Sequence, residues 1–96
     1  MEKRNEIEYG DGFFANLRRL PRETVEKFSF PLELLRVDAF DPRFHTKPLG
    51  PPLKDKYSFR ITRDWRVGFM FKGPHRIKLL IADHRDKIYE RMRRLL

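Results

Sequence analysis

The sequence predicts an α+β fold: a small twisted, mainly antiparallel sheet with an N-terminal helical hairpin and a short C-terminal helix. Three features of the hydrophobic pattern carry it. Apolar residues recur every three to four positions through the first third of the chain, as a helix face requires. From Tyr57 to Phe71 they alternate with polar residues, as half-buried strands require. Helical spacing then returns after His84.

Glu6, Ile7, Glu8 and Tyr9 alternate and suit a first strand closed by Gly10, with Asp11 placed to cap a helix. Phe13, Phe14, Leu17 and Leu20 follow at helical spacing. Pro21 stands where a second helix begins, since its missing N–H costs nothing in a first turn. Val25, Phe28, Leu32 and Leu35 make the apolar stripe of that helix, which Pro31 is expected to bend or split. Phe13, Phe14, Phe28 and Phe30 read as packing residues rather than a cofactor pocket. Residues 41–56, with four prolines, one glycine and five Lys, Arg or His, read as a basic loop. The run 77–82, IKLLIA, is apolar nearly throughout and suits a central strand. Ile88, Met92 and Leu95 then recur as a short amphipathic helix.

The 96 residues suit one domain, residues 1–96, with a single modest core. The chain has no cysteine, which removes disulfides, cysteine-ligated metals and thiol nucleophiles and fits a reducing cytoplasm. The N-terminus lacks the apolar core of a signal peptide, and no run approaches a membrane span. His45, His75 and His84 are scattered, so no metal site is expected, and neither GPP nor KGP has the context of a phosphate loop. The net charge of +8 is uneven. Residues 1–48 hold nine basic and nine acidic side chains, whereas residues 49–96 hold 13 and five. The whole excess lies in the second half, as a surface for RNA or DNA phosphate would, although solubility charge gives the same count.

Strand parity sharpens this. Residues paired across an antiparallel hairpin share a face, so an odd loop at Thr62–Asp64 sets Phe59 opposite Val67 and Tyr57 opposite Phe69. Arg60 then opposes Arg66. In the next hairpin the same logic pairs Phe71 with Ile77, Phe69 with Leu79 and Val67 with Ile81, leaving Arg66 opposite Ala82. His84, two residues on, is then expected to join Arg60 and Arg66 on one face. Like charges directly opposite destabilise a sheet, so the arginine pair calls for an anion, either a phosphate or a carboxylate of the chain itself. A histidine beside two arginines resists protonation and suits a base near neutral pH.

With these residues in place, the block HTKPLGPPLKDKYSFRITRDWRVGFMF and the later IKLLIADHRDKIY resemble the RelE/ParE superfamily of small bacterial toxins. The resemblance spans nearly the whole chain. It implies a RelE/ParE-like fold, a cognate antitoxin that wraps the toxin and, in many members, cleavage of messenger RNA in the ribosomal A site without metal or cofactor. Arg66 matches the arginine that RNA-cleaving members set against the substrate phosphate, and Arg60 falls where they carry a basic residue or a histidine. Asp64, Trp65, His45 and His84 resemble the YafQ-like branch. Tyr89 falls near an aromatic residue used close to the cleaved nucleotide, or else packs the last helix. Ser58 replaces the lysine of RelE itself, and the glutamate base of the YoeB-like branch is missing, so His84 is the first choice of base.

The chemistry these residues suit is transesterification. The ribose 2′-OH attacks phosphorus, a base takes its proton, guanidinium groups stabilise the phosphorane oxygens, and an acid protonates the leaving 5′-oxygen. His84, Arg66, Arg60, Tyr89, Asp64 and His45 are the candidate catalytic residues; Lys54, Lys56, Arg63, Trp65 and Arg85 are those for binding RNA. The expected partners are an acidic antitoxin that folds on binding and mRNA on the ribosome, with no membrane partner. A ParE-type inhibitor of DNA gyrase without nuclease residues, or a silent antitoxin-binding homologue, is the alternative function.

Overall fold

The computed structural model describes residues 4–95. In chain order the elements are β1 (Glu6–Tyr9), α1 (Phe13–Leu17), α2 (Arg22–Glu26), α3 (Ser29–Val37), a 3-10 turn (Pro42–Phe44), β2 (Lys47–Pro48), β3 (Lys56–Arg60), β4 (Trp65–Gly73), β5 (Arg76–His84) and α4 (Ile88–Arg93). The five strands form one sheet in the order β1-β5-β4-β3-β2, antiparallel throughout except where β1 runs parallel to β5. The expected α+β class and mainly antiparallel sheet are therefore present.

The two faces of the sheet carry different covers. On one face α1 to α3 supply Phe13, Leu17, Leu20, Phe28, Leu34 and Leu35, which pack against Phe59, Val67, Phe69, Ile77, Leu79 and Ala82 of the strands. This is the main core, and its strand residues are those read from the sequence except at the end of β5, where Ala82 stands in place of the expected Ile81. On the other face a smaller cluster joins Ile81 to Leu53 of the loop and to Ile88 and Met92 of α4. There α4 sits close to the sheet because Gly68 has no side chain: a Cβ would lie 2.3 Å from Met92 Sδ.

Several local expectations are corrected. The second helix does break, but at Lys27–Phe28; Pro31 is the third residue of α3, where its missing N–H has no intrahelical partner to lose. Asp11 does not cap α1. Its N-cap is Gly12, at φ 77°, which only glycine adopts without strain. The basic loop contains the 3-10 turn, capped by Asp41, and the two-residue strand β2 at the sheet edge, whose shortness and proline guard that edge. Leu95 is 54% exposed and lies outside the apolar stripe of α4.

The register is as expected through β3 and β4, with Arg60 opposite Arg66, Phe59 opposite Val67 and Tyr57 opposite Phe69. Phe69 opposite Leu79 and Phe71 opposite Ile77 also stand. Beyond them a bulge between Gly68 and Phe69 leaves Leu80 as an extra residue on β5. Val67 therefore faces Ala82 rather than Ile81, Arg66 faces Asp83 rather than Ala82, and Trp65 faces His84. The bulge has a visible cause. β1 pairs with β5 only as far as Leu79, and past it the side chain of Asn16 takes the place of a strand. Asn16 donates from Nδ2 to the Ala82 carbonyl at 2.9 Å and accepts the Ala82 N–H at 2.6 Å. Ala82 is thereby drawn into the main core while Ile81 turns to the α4 side.

Candidate nucleic-acid interface

Arg60 and Arg66 stand opposite each other on the face that α4 only partly covers. Arg66 is 5% exposed, and its guanidinium is held by neutral acceptors alone. Nε donates to Ser58 Oγ at 2.8 Å; Nη2 donates to the Ser58 carbonyl at 3.0 Å and to the His45 carbonyl at 2.6 Å. Among the described residues no carboxylate forms an ion pair with Arg60 or Arg66. Asp83, opposite Arg66, accepts instead from Arg91 of α4 at 2.8 Å and from the His84 N–H. Arg60 Nε is sealed from solvent and makes no hydrogen bond. Two guanidinium groups thus share a low-dielectric corner without an anion. The carboxylate that the sequence left open as a neutralising partner makes no ion pair here: Asp83, across from Arg66, is taken by Arg91.

Burial first, and the charge of Arg60 second, pull Arg66 down to about 10, which leaves it charged at neutral pH. Because its native value is lowered, charging it opposes folding at every pH below that, and the cost is relieved only as pH rises from about 10 toward the ordinary guanidinium value. Arg60→Gln removes the repulsion and the unpartnered Nε together. It is expected to stabilise the fold by up to about 1 kcal/mol, the scale of a cross-strand charge pair. For a domain of this size that raises the thermal midpoint by up to roughly 4–8 °C. Calorimetry in phosphate-free buffer measures it, and a lowered midpoint would show that Arg60 is held by a partner.

The other candidates divide by position. His45 ends the 3-10 turn in a left-handed conformation, φ 52°; its carbonyl is the Arg66 acceptor and its residue is exposed. Lys56 lies on the same sheet face as Arg60, two residues before Ser58, and Lys54 is exposed in the preceding turn. Arg63 is exposed at the tip of the first hairpin. His84 does not join the arginines: the bulge sets it opposite Trp65, with the rings edge-to-face at 5.3 Å, on the sheet face of Val67 rather than that of Arg66. Asp64 and Arg85 form a rim beside that pair, through the Arg85 N–H to the Asp64 carbonyl at 2.7 Å and a 3.5 Å ion pair. Tyr89 donates from its hydroxyl to the Pro51 carbonyl at 2.9 Å and packs on the smaller cluster, so it ties α4 to the loop. A cavity of about 460 Å3 at the β5–α4 junction is lined by Asp83, Asp86, Lys87, Glu90, Arg91 and Arg94. Its charges are of both signs, and neither Arg60 nor Arg66 lines it.

Sequence reasoning missed the parts that hold the site rather than form it. Ser58 registered only as a missing lysine, although parity already placed it on the Arg60 face between the two strands. Asn16 carried no signal beyond being a polar residue on a short helix. Among the described residues no group of three His, Asp or Glu side chains is placed to hold a metal ion. No helix among them is long and apolar enough to cross a membrane.

Comparison by sequence finds no matching family model and no matching curated protein. Comparison by structure does find relatives. The archaeal RelE–RelB complex of Pyrococcus horikoshii matches with TM-score 0.67 at 20% identity, over 84% of this chain and 94% of that one. YafQ in the Escherichia coli DinJ–YafQ complex matches with TM-score 0.69 at 14% identity, over 88% and 96%. The YoeB/ParE toxin of Agrobacterium tumefaciens matches with TM-score 0.68 at 17% identity, over 82% and 96%. Sheet, helices and their order agree over most of each chain, so this protein has the RelE-like fold shared by the RelE, YafQ, YoeB and ParE-like toxins.

Proposed function

We propose that the protein is the toxin of a type II toxin–antitoxin system and a metal-independent endoribonuclease that cuts mRNA, with the ribosome presenting the substrate. The observation that carries this reading is the arginine pair without an ion-pair partner, Arg66 buried and Arg60 half-buried with its Nε sealed. A pair that costs stability and serves no ion pair of the fold fits a site kept for a charged ligand. A phosphodiester supplies that charge, and the basic second half of the chain supplies its attraction along an RNA strand. The fold supports the toxin assignment, since its structural neighbours are toxins, several of them solved with antitoxins.

In this mechanism Arg66 and Arg60 hold the scissile phosphate and take up the charge that develops on its oxygens. RNA brings its own nucleophile. The 2′-OH forms a bond to phosphorus while the bond to the 5′-oxygen breaks, leaving a 2′,3′-cyclic phosphate and a 5′-hydroxyl. His45, whose backbone is bonded to Arg66, takes the role of base in place of His84. The case for His84, now with Trp65 at the far side of the sheet, rests on the family resemblance alone, and it stands with Tyr89 and Lys54 as a candidate acid. Lys54, Lys56 and Arg63 offer charge to the flanking nucleotides, whereas Trp65 and Arg85 lie beside His84, away from the arginines, and serve only nucleotides that reach that end of the sheet. An acidic antitoxin would neutralise part of the +8 surface.

Primer extension on mRNA after induction tests the assignment. Discrete cuts in phase with codons are expected. Intact mRNA together with gyrase-linked DNA breaks would overturn it in favour of a gyrase inhibitor.

A further inference from the structure

Arg66 has five N–H groups, and the protein uses three of them. The Nε–Nη2 edge is closed by one residue, Ser58, through both its hydroxyl and its carbonyl. The second Nη2 hydrogen goes to the His45 carbonyl at 2.6 Å. Nη1 alone has no acceptor among the described residues, and it is not among the sealed nitrogens. Arg66 therefore cannot offer a phosphate the familiar side-on fork of Nε and Nη2. Its donor is the single nitrogen Nη1, whose direction is set by how the opposite edge is gripped.

The grip depends on Ser58. That residue is fully buried on β3, opposite Gly68, two pairing steps from the Arg60–Arg66 rung and on the same sheet face. Among the described residues no other side chain accepts from Arg66. Without the hydroxyl, the guanidinium keeps only carbonyl acceptors on Nη2 and is free to pivot about that nitrogen, so the direction of Nη1 is no longer fixed.

We propose that Ser58 is the positioning residue of the anion site: its hydroxyl fixes Arg66 so that Nη1 and Arg60 converge on one phosphate oxygen group of an RNA backbone. This rests on the nuclease reading for its substrate and on the geometry for its residues. A serine here does different work from the lysine that the resemblance implies for RelE itself. It brings no charge to the phosphate and acts only through Arg66.

A double-mutant cycle on single-turnover mRNA cleavage with programmed ribosomes tests it. Ser58→Ala is expected to lower the cleavage rate about tenfold to a hundredfold, the scale of a small misplacement of a reacting group. The half-saturating toxin concentration should stay within about twofold of the parent. In an Arg66→Ala background Ser58→Ala should cost nothing more, because the groups act as a unit. An equal loss in both backgrounds, or a parental rate for Ser58→Ala, overturns the proposal. Should Ser58→Ala fail to fold, Ser58→Thr and Ser58→Cys replace it. Threonine keeps the hydroxyl acceptor and should restore the rate, whereas the weakly accepting thiol should not; equal rates for the two overturn the proposal. A second readout does not need catalysis. Inorganic phosphate should raise the thermal midpoint of the parent and not that of Ser58→Ala, and an equal rise, or none in either, counts against the anion site. A parent that binds phosphate in this way but cuts no RNA would overturn the nuclease reading and leave the role of Ser58 standing.

Discussion

Arg66→Ala should lower the cleavage step by about two to three orders of magnitude, the loss seen when a preorganised donor to transition-state charge is removed. Its cost to the fold should be small for so buried a residue. The deleted guanidinium is an uncompensated charge, and its departure relieves the repulsion on Arg60 while leaving Ser58 and two carbonyls to find other donors. A rate that collapses while the thermal midpoint moves by only a few degrees separates a site residue from a structural one. Arg63→Ala gives the contrast. Exposed at the hairpin tip, it should weaken binding and reduce the salt dependence with little change in the rate at saturation.

Replacing the proton-transfer group is the second large effect. His45→Ala is expected to cost about 10² to 10⁴ in rate, the range for general acid–base groups, with substrate affinity nearly intact because proton transfer matters only in the transition state. The carbonyl of residue 45, which holds Arg66, survives this substitution, so the site itself should stay assembled. His84→Ala provides the comparison. On the geometry it loses less than His45→Ala, because the bulge turns His84 toward Trp65 and away from the arginines. Single-turnover rates of the two variants decide between the histidines, and a larger loss at position 84 would return the base to the strand end.

The sheet was legible because its information is local. Parity along Tyr57, Phe59, Val67 and Phe69 needs only an odd loop to give the rung between Arg60 and Arg66, and that rung is present. What parity could not supply is the extra residue at Leu80. The bulge depends on Asn16, 66 positions away from Ala82, standing in for the end of β1, and no pattern within the strand announces that. A one-residue slip turns every later side chain to the other face, so this single long-range contact moved His84 out of the expected constellation. The helix break likewise falls at Lys27–Phe28 rather than at Pro31. In the site, the charges were readable and their partners were not: a sequence shows that Arg60 and Arg66 face each other, whereas the engagement of Asp83, across from Arg66, by Arg91 instead is a property of the folded chain.

The central claim is that this arginine pair holds the phosphate at which RNA is cut. Its most direct measurement uses purified protein, an mRNA programmed on ribosomes, and a matched mRNA carrying one 2′-deoxynucleotide immediately 5′ of the scissile phosphate. The parent should cut the all-ribose message to give a 2′,3′-cyclic phosphate and a 5′-hydroxyl, should leave the 2′-deoxy message whole, and should lose the cut in Arg66→Ala. Cleavage of the 2′-deoxy message, or parental cleavage by Arg66→Ala, would contradict it.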